Sequence, residues 1–190
     1  MFCEEKVAQM AAYLLLKRGG RMAYLKLMKL LYLANRQSMI VHGRMIGEDN
    51  LFSMRHGPVM STTLDLIRGK AQGAGGYWYK LIETQGHDVE LCSDPRSMDA
   101  DEVFDELSRS DVRILDEIYS KYGHMNRFEL RDMTHLADVC PEWHDPGRSS
   151  VPIDKKEIFL AEGKTPEEAE NILQSMLESQ QLKEFSSQLS

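Results

Sequence analysis

The stretch that most constrains this chain runs from Leu25 to Met60, LKLMKLLYLANRQSMIVHGRMIGEDNLFSMRHGPVM. Leu27, Leu30, Leu31 and Ala34 recur at i, i+3, i+4 and i+7, one face of an α-helix. Met28, Tyr32 and Leu33 widen that face until little is left for solvent. A helix apolar on nearly every side must be surrounded, so the other elements have to be arranged around it. Lys26, Lys29 and Arg36 share one edge of this helix, which predicts a narrow basic stripe whose carbon stems cover apolar surface while the charged heads reach water. On that reading a charge reversal at Lys29 leaves the fold intact, whereas Leu30→Asp unfolds it by placing an unpaired carboxylate in the core. The stretch ends at His56-Gly57-Pro58. Gly57 permits a tight bend, and Pro58 suits a first helical turn, so a third helix is expected to begin there. One histidine without a partner defines no chemistry, which leaves His56, with Lys26, Lys29 and Arg36, as a candidate for contacting a partner.

A chain of 190 residues with 42% hydrophobic residues fits one domain with a real core, expected over residues 1–178, followed by a polar C-terminal tail over 179–190. The net charge of −7 argues against a general nucleic-acid binder and for a basic protein partner. Three scattered cysteines, Cys3, Cys92 and Cys140, form no disulfide framework and fit a reducing cytoplasm. The acidic start, MFCEEKVAQM, is unlike a secretion signal, and no apolar run reaches the roughly 20 residues of a membrane span.

The rest of the chain reads as mainly helical. Val7, Met10, Ala11, Leu14 and Leu15 mark a first helix over about Glu4 to Lys17, stopped at Gly19-Gly20. The central helix is expected from Met22 to His42, ending at Gly43, after which Arg44 to Glu48 hold no core pattern. Leu51 to Met54 is a short extended piece. The helix after Pro58 faces Leu64 and Ile67 inward. Gly73, Gly75 and Gly76 form a turn without the lysine and hydroxyl of a phosphate loop. Tyr77-Trp78-Tyr79 then begins a strand toward Ile82, which turns at Gln85-Gly86 and pairs with His87 to Cys92, where Val89 and Leu91 alternate inward. Asp99 to Glu106 is a solvated acidic segment with at most one helical turn. Ser110 caps a helix ending at Gly123, Asn126 and Glu129 have capping-box spacing for another over Arg127 to His135, and Asp154 and Glu157 open a third. Thr165-Pro166-Glu167-Glu168 starts the last helix. The expected architecture is a compact, mainly α domain of about six to seven helices with one small antiparallel β-hairpin, close to all-α.

Chemistry has no evident home. His135, Cys140 and His144, with Cys92 as a distant fourth, could hold zinc, but no C-x-x-C knuckle is present and the connecting segment carries Pro141 and Trp143. A Cys140–His144 nucleophile pair has no orienting group. The expectation is therefore a protein that is not an enzyme and uses no cofactor or metal.

The helix Leu25–Ala34, the apolar strand at Phe52 and the corner His56-Gly57-Pro58-Val59 resemble the Panacea antitoxin domain of the SocA-like family of bacterial and phage antitoxins. Its usual form is a K-L-x-K-L-L-Y-x-A helix, a brief strand and an x-G-P-V corner; Met133-Thr134-His135 and Pro141-Glu142-Trp143 resemble its later T-H…W element. The resemblance covers about Val7 to Ile172. Lys26, Lys29, Leu30, Tyr32 and Ala34 match the helix motif, His56, Gly57, Pro58 and Val59 the corner, and Thr134, His135 and Trp143 the later element. Asn35-Arg36-Gln37 departs from the family pattern. The resemblance implies an antitoxin that neutralises an adjacent-encoded toxin by binding it and covering its active site. A branch of the family instead presents the bound toxin to an ATP-dependent protease, for which the polar tail would serve as a tether. No helix-turn-helix is fused to the chain, so no direct nucleic-acid binding is expected.

Overall fold

A computed structural model of the chain describes residues 2–71 and 76–188. Gly73 and Gly75 of the expected turn, and Leu189 of the tail, lie outside the described residues. The first helix, α1 (Glu4–Arg18), ends where Gly19 adopts a left-handed conformation with φ 91°. A short strand, β1 (Arg21–Ala23), follows before the central helix α2 (Tyr24–His42) begins. The chain then forms a hairpin, β2 (Leu51–Met54) and β3 (Gly57–Met60), and enters α3 (Ser61–Ile67). Pro58 therefore does not open a helix: it lies in β3 opposite Ser53, and the third helix starts three residues later. A strand tolerates Pro58 because its carbonyl still accepts while the partner strand needs no N–H from it.

One helical turn, α4 (Trp78–Leu81), stands where an aromatic strand was expected, and β4 (Ile82–Gln85) and β5 (Asp88–Leu91) form the expected hairpin after it. Trp78 is wholly buried, and a turn of helix delivers it to the core where a strand would have split the three aromatic residues between two faces. After α5 (Ala100–Val103) come α6 (Arg109–Tyr122) and α7 (Arg127–Met133). Both open with a complete capping box, from Ser108 and Asp111 in α6 and from Asn126 and Glu129 in α7. The cap of α6 is thus Ser108 and not Ser110. Strand β6 (Val151–Pro152), α8 (Lys155–Ala161) and the long α9 (Pro166–Gln188) complete the chain.

Among the described residues, seven helices have seven or more residues, in line with the expected number. The sheet content exceeds one hairpin. Both hairpins recruit a third antiparallel strand, giving sheets ordered β1-β5-β4 and β3-β2-β6. Strands of two or three residues carry no periodicity, which is why β1 and β6 left no trace in the pattern.

Helix α2 is the hub: it packs against α1, α3, α6, α7, α8, β1 and β3. Leu27, Leu30, Leu31, Tyr32 and Ala34 are wholly buried. The loop after α2, where Arg44 to Glu48 show no core pattern in the sequence, is partly internal. Met45 and Ile46 are buried, and the backbone N–H groups of Ile46 and Gly47 donate to Asn35 Oδ1 at 2.8 and 3.1 Å. No helix among the described residues is long and apolar enough to cross a membrane.

Candidate functional site

The supposed basic stripe of α2 faces inward. Lys26, Lys29 and Arg36 are 5%, 0% and 9% exposed, so none has its charged head in bulk water. The helix is surrounded more completely than its apolar positions imply, because α6, α7, β3 and α8 also cover the edge carrying these cations. Each has its own way of meeting the cost of burial. Lys26 Nζ donates to the carbonyls of Gly123 and Met125 at 2.6 and 2.7 Å, closing the C-terminal end of α6. Arg36 Nε donates to Glu142 Oε1 at 3.0 Å and its Nη1 to Glu162 at 3.1 Å.

Lys29 has the harshest setting. Its Nζ donates to the Pro58 carbonyl at 2.7 Å and has no carboxylate partner among the described residues, and burial pushes its pKa down to about 7. A neutral amine is the form such a site favours. Gly57 has φ 89°, and a Cβ there would lie 2.7 Å from Lys29 Nζ, 2.8 Å from Thr134 Oγ1 and 3.1 Å from His135 Nε2. The three polar tips therefore converge on a space that only glycine leaves open. Thr134 Oγ1 donates to the Arg131 carbonyl, and His135 stacks on Trp143 with ring centroids 4.1 Å apart. Burial, the larger cause, holds the His135 pKa below its ordinary value, and any proton on Lys29 lowers it further. Trp143 Nε1 donates to the Met54 carbonyl at 3.1 Å and fastens this element to the hairpin.

A second buried group continues along α2. Tyr32 Oη donates to Glu142 Oε1 at 2.6 Å, the same oxygen that accepts from Arg36. Burial and Glu142 both raise the Tyr32 pKa, keeping the phenol protonated as the donor. Burial disfavours the Arg36 charge, but Glu142 and Glu162 outweigh it and leave its pKa raised. Cys140 is buried beside them and its pKa is pushed up to about 12, chiefly by burial, so it remains a thiol. Glu142, 1% exposed, is the member that sequence reasoning did not single out. Its only signal was its place between Pro141 and Trp143, since a lone carboxylate in an irregular segment is ordinarily solvated.

The proposed zinc set does not assemble. Cys92 is exposed, His144 is exposed and pairs with Glu157 at 3.0 Å, and His135 is committed to Trp143. Among the described residues no three His, Cys, Asp or Glu side chains come together to hold a metal ion. The remaining candidate, His56, is exposed at the tip of the β2–β3 hairpin, where it borders two adjoining pockets of about 320 and 220 Å³. The two pockets share Tyr24, Leu25 and His56, so they form one groove that runs between the tip of the hairpin and the start of α2.

The family model described as antitoxin SocA-like, Panacea domain, matches residues 27–144. The match encloses the buried set from Lys29 to Trp143 and leaves out α8, α9 and Glu162. No curated protein and no solved structure matches the chain.

Proposed function

The chain belongs to the SocA-like antitoxin family with a Panacea domain, and from that premise we propose that it neutralises a toxin encoded beside it by direct protein–protein binding that covers the toxin's active site. The observation that carries this reading is the family match itself, together with where the matched residues lie. Lys29, Tyr32, Gly57, Thr134, His135 and Trp143 join α2, the hairpin and the segment after α7 into one packed unit. Lys29, Tyr32, Thr134 and Trp143 spend their donors on the protein itself, on the carbonyls of Pro58, Arg131 and Met54 and on the Glu142 carboxylate. Such a unit makes a rigid platform, and a rigid platform binds with little loss of conformational freedom. Inhibition by coverage asks for nothing more than a complementary surface.

Co-expression tests this directly. Alone, the chain is expected to be harmless; with the product of the neighbouring reading frame it should restore growth, and the two should co-purify. A neighbour that is not toxic, or that stays toxic although both proteins accumulate, overturns the proposal.

The adaptor reading draws on the far end of α9, where Leu177, Leu182 and Phe185 are 52%, 70% and 63% exposed. Apolar side chains this open on a terminal helix are a handle for a further protein. Under that reading Leu182→Glu with Phe185→Glu lengthens the toxin's half-life in cells and abolishes protection. Under simple coverage protection persists and the half-life does not change.

A further inference from the structure

The groove between the tip of the β2–β3 hairpin, the start of α2 and α3 has a composition at odds with the chain that bears it. The protein has 30 Asp and Glu against 23 Lys and Arg, yet every titratable side chain lining either pocket, Tyr24 apart, is an arginine or a histidine. Arg55, Arg68 and Arg148 border the larger pocket, and all three are exposed. None of them has a carboxylate partner among the described residues, whereas Arg21, Arg36 and Arg44 each do. In the smaller pocket Arg127 and Arg131 flank the ring of Phe128, at 4.7 and 5.3 Å from its centroid, and Phe128 is 49% exposed. Arg131 also pairs with Asp132.

The floor is apolar. Met28, Met54, Val59 and Leu64 line the larger pocket, and Leu25 joins it to the smaller one. Methionine side chains adjust to irregular apolar shapes, and arginine forks engage carboxylates bidentately. Two joined pockets with arginines along both suit an extended ligand better than a compact one. A nucleotide base, by contrast, is read by matched donors and acceptors, and apart from the Tyr24 and Ser149 hydroxyls and the His56 and His87 rings the polar side chains here only donate.

We propose that this groove binds an acidic segment of a partner protein, its apolar residues seated on Met28, Met54, Val59 and Leu64 and its carboxylates held by Arg55, Arg68 and Arg148. That the partner is the toxin rests on the antitoxin reading; the chemistry of the segment does not. The negative charge of the whole chain acts at long range, and the groove reverses that sign locally, so the site selects an acidic stretch on a partner that is not acidic throughout.

A fluorescein-labelled peptide of alternating glutamate and leucine, followed by anisotropy, tests the groove without the toxin. Wild-type protein is expected to bind it, less tightly as salt is raised, and the lysine–leucine counterpart not at all. Arg55→Glu, Arg68→Glu and Arg148→Glu together should weaken binding by at least about tenfold and let the lysine–leucine peptide bind instead. If the reversed chain does not fold, the three Arg→Gln substitutions carry the same comparison without the switch in preference. No binding of the acidic peptide, binding unaffected by the substitutions, or arginine-dependent binding of ATP in its place overturns the proposal. Should the peptide bind through these arginines while the neighbouring product is not neutralised, the antitoxin reading fails and the groove stands. Neutralisation without peptide binding fails the groove alone.

Discussion

The β2–β3 hairpin has two sides that obey different rules, although four consecutive residues supply both. On the inner side Gly57 leaves room for Lys29 Nζ, Thr134 Oγ1 and His135 Nε2, and the Pro58 carbonyl takes the lysine's hydrogen bond. On the outer side Arg55 and His56 are exposed over an apolar groove. Inside, each polar atom has one acceptable position, and a substitution is felt as unfolding. Outside, charges stand in water with few obligations to the fold, and a substitution is felt by whatever binds. The family signature reports mostly on the inner side, through Lys29, Tyr32, Gly57 and Thr134, which are buried, while His56 and Val59 of the same signature line the groove.

The sharpest break of this comparison is Gly57→Ala. At φ 89° any side chain is strained, and here its Cβ would also meet three polar tips, two of them closer than 3.0 Å. We expect a loss of more than about 3 kcal/mol, or no soluble protein, measured by urea unfolding. A loss below about 1 kcal/mol would mean that the inner side relaxes freely, and the contrast with the outer side would dissolve.

Glu142→Ala comes next. It strips Tyr32 Oη of its acceptor and leaves Arg36 only the half-exposed Glu162, and breaking a buried ion pair from one side costs about 3–5 kcal/mol. Leaving Glu162 in place should keep the effect at the lower end. Glu142→Gln retains an acceptor for Tyr32 and should cost less. Equal losses for the two variants would show that the charge, which both lack, and not the shape or the hydrogen bond to Tyr32, holds this group together.

Lys29 gives a smaller effect with a definite sign. Its folded pKa of about 7 lies below the ordinary value near 10.5, so between these limits the unfolded chain binds a proton that the folded chain does not. Stability attributable to Lys29 therefore rises with pH through this window, by at most about 1.4 kcal/mol per pH unit for one proton, and the burial penalty is fully present below pH 7. Cys140, raised to about 12, acts oppositely once the unfolded thiol ionises, but it is common to wild type and variant and drops out of their difference. The stability of wild type minus that of Lys29→Met should increase from pH 6 to pH 9 in urea titrations. A flat difference would place the ammonium in water after all. The same burial predicts that Lys29→Glu, harmless on a solvated stripe, does not fold.

The reach of the sequence follows the same division. The course of α2, its end at Gly43 and the capping boxes of α7 and α9 were legible, because helix periodicity and cap spacing are local signals. So were Leu51–Met54 as a strand and the inward-facing pair Val89 and Leu91. The inward turn of Lys26, Lys29 and Arg36 was not legible. Charge at one edge of a helix is normally solvated, and what meets it here are carbonyls and two carboxylates that lie 29 to 126 positions away in the chain. Glu142 was hidden for the same reason. The groove could not be seen at all, since Arg55, Arg68 and Arg148 come from three separate segments and acquire a common role only when β3 turns the chain into α3.

The smallest expected effect on stability is at those same arginines, and it is the one that decides whether the two sides are separable. Exposed residues without ion-pair partners contribute little to folding, so Arg55→Gln, Arg68→Gln and Arg148→Gln should each shift unfolding by no more than about 0.5 kcal/mol. Spread over separate segments, their effects should add. A triple variant that keeps the wild-type melting curve and loses the partner would assign stability to the inner side and recognition to the outer. One that melts early would mean that the arginines brace the hairpin against α3, and that the inner lysine and the outer groove belong to one cooperative unit.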